Sequence, residues 1–346
     1  MQMSSRQFTF PDGVVKIKMR ACCFGGCEKT AENPFGISGF GIPKDISGIV
    51  IPDSVKKIGW LAFEGCTSLT SVVIPGSVTK IDVEAFKGCT SLTSGVIPNS
   101  VTEIGYYVFE GCTSLTEIKV SPNNPNFRDI EGVLFEGYQL HTFPMGKNPR
   151  TYKIPDFVTE IGDGAFEDCT SLTSVDIPDS VTEIGNNAFE DCTSLTSVEI
   201  PDSVEEIGDY AFWDCTSLTS ANIPNSVTKI GEGAFGGCTS LTEIKVSPNN
   251  PNFRDIEGIL FEGSKLHTFP AGKDQQTCKI PDFVTEIGSY AFYGCTSLTS
   301  LVIPDSVKKF HYDSFFGCTS LEKVYAPEGL DLSETGIPDS VEIIRY

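Results

Sequence analysis

The sequence predicts a repeat solenoid with a parallel inner β-sheet, short strands, turns on the convex side and little helix. Three observations predict it. First, a stretch beginning Ile-Pro-Asp-Ser-Val-x-Glu-Ile-Gly starts at Ile177 and again at Ile200, a period of 23 residues. Second, each copy carries only a short alternating apolar segment, and none has the roughly 10–12 periodic residues of an ordinary helix. Third, prolines and cysteines recur in step along the chain, as at Pro155, Pro178, Pro201 and Pro224 and at Cys169, Cys192, Cys215 and Cys238. A repeat this short has no second layer of its own. It must stack on its neighbours to bury its apolar side.

The elements follow in order within one copy. Leu172, Val175 and Ile177 form an L-x-x-V-x-I segment, which reads as a short strand with one buried face. Pro178 has no backbone donor and stops it. Val181 and Ile184 make a second apolar pair. Gly185 permits a turn, after which Ala188, Phe189 and Cys192 point inward from a tight or single helical turn. Along the chain, residues 1–50 read as an irregular N-terminal cap with a degenerate first repeat around Pro11, Val14, Ile17, Phe24 and Cys27. Residues 51–326 are tandem repeats, and residues 327–346 a C-terminal cap repeat. Two copies, 121–154 and 247–280, are longer and share Ser-Pro-Asn-Asn-Pro-Asn-Phe-Arg-Asp-Ile-Glu-Gly. A larger unit of 126 residues repeats around them almost verbatim, the pattern of a tandem duplication.

Composition narrows the function classes. The net charge is −21, from 46 acidic and 25 basic residues, so the chain repels phosphate backbones and anionic lipid; nucleic acid is a poor partner. No apolar run approaches the roughly 18 residues of a membrane span. Only three histidines are present, His141, His267 and His311, so the usual general base and metal ligand are scarce. His141 and His267 hold the same place in the two long copies and read as structural. The acidic run from Asp202 to Asp209 lacks the dense ligand order of a calcium loop and reads as a solvated face. There is no nucleophile elbow or H-E-x-x-H. The expectation is a chain that is not an enzyme, with no cofactor and no metal.

Of thirteen cysteines, ten fall on one ladder position. Stacked coils hold neighbouring Cα atoms near 4.8 Å, but parallel side chains keep the Cβ atoms equally far apart, slightly beyond disulfide range. Buried reduced thiols acting as small apolar residues are expected. Cys278 matches Tyr152 in the earlier long copy, so it is expected to face partly outward. Cys22 with Cys23 or Cys27 leaves a local disulfide open.

The residues Ile-Pro-Asp-Ser-Val-Thr-Glu-Ile-Gly-x-x-Ala-Phe-x-x-Cys-Thr-Ser-Leu-Thr-Ser resemble the BspA-type leucine-rich repeat family over nearly the whole chain. The long copies, with Asp-Ile-Glu-Gly-Val-Leu-Phe at 129–135 and Phe-Pro at 143–144, resemble its variant repeat. The resemblance implies a right-handed leucine-rich-repeat superhelix. It also implies a cell-surface or secreted, adhesin-like protein that binds host or extracellular matrix proteins. It brings no catalytic residues. No signal peptide or anchor is visible in this chain, which leaves a cytoplasmic location open. The alternative reading is a structural, self-associating scaffold without a dedicated ligand.

Two sets of outward residues are candidate contacts. On the inner sheet the outward positions are the third and fifth of L-x-x-V-x-I; the third is mostly serine, while the fifth varies: Val73, Val96, Lys119, Asp176, Glu199, Lys245, Val302 and Tyr325. The second set is an aromatic edge. Tyr107, Tyr210 and Tyr290 share one column; Trp213 and Tyr293 share another with Phe316. These rings either pack on neighbouring coils or face a partner, as Trp and Tyr favour interfaces.

Overall fold

The computed structural model describes residues 7–9, 16–17 and 45–346, and the chain divides into two units, 1–147 and 148–346. Each unit is a β-solenoid of stacked parallel coils. Among the described residues the helical content is one 3-10 turn, Met145–Lys147. The expectations for Cys22, Cys23, Phe24 and Cys27 lie outside the described residues.

One coil of the second unit shows why the repeat folds this way. Ser174–Asp176 is a strand with Leu172, Val175 and Ile177 buried on one side. The Pro178 carbonyl accepts Val181 N at 3.0 Å, closing a tight turn where the strand stops. Glu183–Ile184 then forms a two-residue strand, and Val181 and Ile184 are buried. Two corners follow in which the backbone turns left-handed, Asn187 (φ 55°) and Asp191 (φ 55°). They aim Ala188, Phe189 and Cys192 inward. Every copy of the pre-cysteine corner that is not Asp is Gly: Gly65, Gly88 and Gly111 in the first unit, Gly237, Gly294 and Gly317 in the second. These are the residue types that tolerate positive φ best.

Stacking satisfies the backbone. The L-x-x-V-x-I strands pair in parallel with a shift of one repeat, as in Thr151↔Ser174↔Ser197 and Ser94↔Glu117. In the first unit, Gln7–Thr9 pairs with Gly48–Val50, which pairs with Ser71–Val73. At the carboxyl end Lys323–Ala326 pairs with Glu342–Arg345. The short Val-x-x-Ile segments build a second parallel ladder. It runs Lys16–Ile17, Lys57–Ile58, Lys80–Ile81 and Glu103–Ile104 in the first unit. In the second it includes Glu160–Ile161, Glu183–Ile184, Glu206–Ile207 and Lys229–Ile230. The corners pair too: Phe166 N donates to Ala188 O at 2.8 Å and Asp168 N to Glu190 O at 2.9 Å.

The core is a column of phenylalanines. Phe166–Phe189 and Phe189–Phe212 stack with centroids 5.0 and 5.2 Å apart. Phe63–Phe86 does the same in the first unit at 5.0 Å. Burying each ring contributes about 1.5–3 kcal/mol. Beside them the cysteines do more than fill space. Cys215 Sγ donates to Phe189 O of the preceding coil at 3.1 Å, while Cys192 N donates to that same carbonyl at 3.2 Å. The pattern repeats at Cys89, Cys112, Cys192, Cys238 and Cys318. A carbonyl has two lone pairs, and the thiol occupies the one that the turn leaves free.

Cys278 corrects an expectation. It is 2% exposed, at the centre of the strand Thr277–Lys279 and in register with buried Leu301. The position points inward. Tyr152 in the equivalent strand is half-buried, packs on Phe166 and is too large to be covered fully, whereas a thiol fits inside.

The long copies contain antiparallel strands that the repeat pattern does not announce. Phe127–Ile130, Val133–Glu136 and Gln139–Thr142 form a meander, repeated at Phe253–Ile256, Ile259–Glu262 and Lys265–Thr268. The first hairpin turns at Glu131 (φ 51°) and Gly132 (φ 81°), the paired positive φ of a type I′ turn. Asp129 Oδ1 accepts Val120 N, and Asn124 Nδ2 donates to Pro98 O and Val101 O, tying the meander to the preceding coil. In the second copy, Lys265 and Leu266 pair with Glu286 and Ile287, so the third strand rejoins the short-strand ladder.

The last strand of each meander carries a buried histidine. His141 Nε2 lies 3.3 Å from Ile104 O and its Nδ1 2.8 Å from Thr142 Oγ1; His267 does the same with Ile230 O and Thr268 Oγ1 at 3.1 and 2.9 Å. A carbonyl only accepts, so Nε2 carries the proton and Nδ1 accepts from the threonine hydroxyl. Burial lowers both imidazoles to about 4.

Two predictions follow from this interior. An unfolded imidazole titrates near ~6.5, so the unfolded chain takes up protons first as pH falls, and stability drops between about pH 6.5 and 4. Each histidine accounts for about 3 kcal/mol of that loss. Urea melts at stepped pH check it: the double variant His141→Gln/His267→Gln, which keeps an N–H for each carbonyl, should show a flatter dependence in that window. The thiols are the second case. Burial raises Cys278 to about 12 and holds Cys169, Cys192, Cys215, Cys238 and Cys295 high as well. The ten described cysteines should resist a maleimide in the native state and all react in denaturant without reductant. Fast native labelling of these ten would contradict the buried ladder.

Candidate functional site

The first candidate surface is the outward side of the longer strands. In the first unit Val73 (59% exposed) and Val96 (50% exposed) lie on successive strands, with Val50 in register beside Val73 and Lys119 beside Val96. Side chains on neighbouring parallel strands sit about 4.8 Å apart. Lys119 is tied to Glu117 on its own strand at 3.1 Å. In the second unit the column is charged: Lys153 faces Asp176, Glu199 follows the short strand Ser197–Val198, and Lys245 pairs with Glu243 at 2.6 Å. Asp176, Glu199 and Lys245 are exposed. Val302 and Tyr325 lie in register with each other and are half-buried. The structure therefore separates the eight residues into an apolar strip, a charged stretch and a second small apolar strip.

The second surface lies at the corners of the second unit. Here four of the five predicted aromatics meet. Trp213 and Tyr293 have ring centroids 4.1 Å apart, Trp213 and Tyr290 5.1 Å, and Tyr210 and Trp213 5.2 Å. Burial and the neighbouring Tyr290 raise the Tyr210 hydroxyl, and the Trp213 indole offsets part of the upward shift that burial gives Asp214. All four rings are half-buried. Tyr107 sits at the corresponding corner of the first unit (φ 58°). Tyr210 and Tyr290 adopt the same left-handed corner conformation.

The rings meet because a coil between them is bare. Gly233 and Gly236 occupy its corner, and a Cβ on Gly236 would lie 2.5 Å from the Trp213 ring. No side chain fits there, so Trp213 lies flat across the gap. In the first unit the positions 126 residues earlier carry another chemistry. Glu84, Lys87 and Glu110 stand where Tyr210, Trp213 and Gly236 stand later. Lys87 Nζ is 2.7 Å from Glu84 and 2.8 Å from Glu110.

Sequence reasoning left several exposed aromatics out of its candidate set, among them Trp60 and Tyr312 (61% exposed), and named Phe316 (53% exposed) only as sharing the column of Trp213 and Tyr293. Phe316 stacks on Tyr293 at 5.9 Å, and Tyr312 meets Tyr290 edge-on at 6.1 Å, so both extend the patch. Tyr312 had a signal. Its column otherwise holds residues such as Asn186 and Asp209, whose side-chain oxygens accept the next coil's N–H at 2.9 and 2.8 Å. A tyrosine breaks that ladder and must project.

Beside the patch runs the pre-cysteine column Asp168, Asp191 and Asp214. Burial raises all three carboxyls, and Asp191 raises Asp168 and Asp214 further by repulsion. Among the described residues no group of three His, Cys, Asp or Glu side chains is arranged to hold a metal ion. A carboxyl raised in the folded state stabilises it while protonated, and that contribution is lost as pH rises through the folded pKa. Asp191 at neutral pH thus opposes folding and also holds a left-handed corner. Asp191→Gly should raise stability by about 0.5–1 kcal/mol from the backbone alone, more at pH 7 than at pH 3.5. Thermal melts at the two pH values check it.

A family model described as a BspA type leucine rich repeat region (6 copies) matches residues 38–158, 159–277 and 265–337. A search of curated proteins finds no match. Among solved structures, the pneumococcal vaccine antigen PcpA is similar over 87% of this chain and 68% of its own, at 23% identity and a TM-score of 0.57, a likeness of fold. A leucine-rich cell surface protein from Faecalibacterium prausnitzii is 27% identical over 87% of this chain and 88% of its own, with a TM-score of 0.48. A leucine-rich repeat protein from Bacteroides ovatus is 27% identical over 88% and 82%, with a TM-score of 0.36. With matches running from residue 38 to 337 on a fold of stacked 23-residue coils, this chain belongs to the BspA-type leucine-rich repeat family.

Proposed function

We propose that the chain is a non-enzymatic protein-binding module of a bacterial cell surface, adhesin-like, whose partner is a host or extracellular matrix protein. The observation that carries the reading is the outward column of the longer strands. Its side chains are held at fixed spacing on paired parallel strands, as Ser71–Val73 on Gly48–Val50 and Ser94–Ile97 on Glu117–Val120, so little order is lost when a partner docks. The serines beside them, such as Ser71, Ser94 and Ser174, have little side-chain entropy to lose. Val73 and Val96 give the strip an apolar centre, and the corner aromatics give a second contact with rings already packed. Family membership supports a surface location. The acidic loops, hydrated and scattered, contribute solubility and on-rate.

Surface plasmon resonance against a panel of purified matrix proteins tests the reading. A binder should lose about tenfold or more in affinity with Val73→Glu/Val96→Glu/Lys119→Glu, or with the exposed aromatic pair Tyr312→Ser/Phe316→Ser. Neutralising Asp202, Glu205 and Glu206 should leave affinity within about twofold. Binding that survives both surface variants and vanishes on neutralisation would overturn the placement. Mass that rises with concentration in light scattering, with no binder in the panel, would favour the self-associating scaffold.

A further inference from the structure

The corner patch of the second unit has an electrostatic setting that its aromatic content alone does not reveal. Carboxylates surround it. Asp209 and Glu232 act on the Tyr210 hydroxyl, Asp191 and Asp214 on that of Tyr293, and Asp313 and Glu334 on that of Tyr312. The nearby ion pairs are made elsewhere, at Lys229–Glu206, Lys265–Glu262 and Lys309–Glu286. The ring faces are themselves electron-rich, and a cation over such a face is attracted by the ring quadrupole. The carboxylates and rings thus favour the same charge. Tyr312 and Phe316 leave more than half of their surface open to solvent.

We propose that this patch, Tyr210, Trp213, Tyr290, Tyr293, Tyr312 and Phe316 with its carboxylate rim, binds the guanidinium groups of an arginine-rich segment of a partner protein. The inference deepens the protein-binding reading above and rests on it. Guanidinium suits the site better than ammonium. Its plane stacks on aromatic faces while its edge donates in parallel to a carboxylate, and it sheds water more readily. Asp214 is the best-placed acceptor, because its carboxylate lies over Gly237, beside the Tyr293 ring. Its left-handed corner (φ 51°) fixes the backbone beneath it. The rings need no rearrangement, since Trp213 is wedged over Gly236 and packed at a tilt on Tyr293. An acidic or neutral segment would meet only repulsion or an unfilled rim.

The test uses the full chain carrying Trp60→Phe, so that Trp213 is the sole tryptophan reporter. The probe is a capped peptide of alternating glycine and arginine, beside two controls in which lysine or citrulline replaces arginine. Citrulline keeps the planar hydrogen-bonding edge and loses the charge. The arginine peptide should change Trp213 fluorescence saturably and bind about tenfold tighter than the citrulline peptide, with lysine between. Tyr312→Ser/Phe316→Ser should weaken it about fivefold or more, and Asp214→Asn/Asp313→Asn likewise. Asn accepts both left-handed corners, so the second variant keeps the fold. Neutralising Asp202, Glu205 and Glu206, which are not among the carboxylates acting on the Tyr210, Tyr293 and Tyr312 hydroxyls, should change affinity by less than about twofold at physiological salt.

Equal binding of the arginine and citrulline peptides overturns the proposal. So does binding that ignores the aromatic pair while falling on neutralisation of Asp202, Glu205 and Glu206, since that pattern is diffuse acidity. Absence of any Trp213 response up to about 1 mM peptide overturns it as well. If the peptide fails while the matrix partner still depends on Val73, Val96 and Lys119, guanidinium recognition falls and the protein-binding reading stands. If the peptide binds as described while no matrix protein does, guanidinium recognition stands and the matrix partner falls.

Discussion

No coil of this chain can bury its own phenylalanine. Phe189 is covered because Phe166 and Phe212 lie against its two faces, and each of those is covered in turn by the next ring. The constraint reaches the backbone. The corners at Asn187 and Asp191 turn left-handed because only that path aims Phe189 and Cys192 inward while leaving N–H groups to meet the neighbouring coil. Leu, Val and Ile of the longer strand, Val and Ile of the shorter one, and the thiol on the phenylalanine carbonyl all answer to this same stacking. Stability is then a sum of nearest-neighbour terms, and a cavity in a middle coil reaches the coils on both sides.

The parts of the fold that were legible in the sequence are those that recur. Leu172, Val175, Ile177, Phe189 and Cys192 take the inward places their spacing indicated. The parts that were not legible depend on a single copy or on geometry between copies. The meanders turn at Glu131–Gly132 and Glu257–Gly258, which lack the usual Asn-Gly signature and sit where the repeat is interrupted. The partial exposure expected of Cys278 came from the size of Tyr152, although an inward position can hold a ring that is only half covered. The thiol-to-carbonyl bond joins residues 26 apart, one repeat plus a turn, a separation no local pattern shows.

The candidate surfaces were legible as columns but not as contacts. Tyr210 and Tyr290 could be aligned in one column, Trp213 and Tyr293 in another. Their meeting required a coil between them to lack side chains, and the glycines at 233 and 236 read in isolation only as permissive corners. The strand column was the reverse case. Its residues were correctly named as outward, yet the strip of Val50, Val73 and Val96 and the charged stretch through Asp176 and Glu199 differ more than a shared pattern suggests.

The 126-residue duplication gives the corner positions a further meaning. Glu84 and Lys87 in one copy and Tyr210 and Trp213 in the other stand on the same backbone, with Glu84 and Tyr210 at φ 55° and 56°. A salt-bridged corner and an aromatic corner are therefore alternative fillings of one frame. Because the frame is held by residues that never reach the surface, a gene of this kind can gain, lose or exchange whole coils by recombination and still register correctly. Surface character then changes by substitution at two or three corner residues, with no new core to invent. Such an array diversifies as a typeface does, with the line spacing fixed and the characters free.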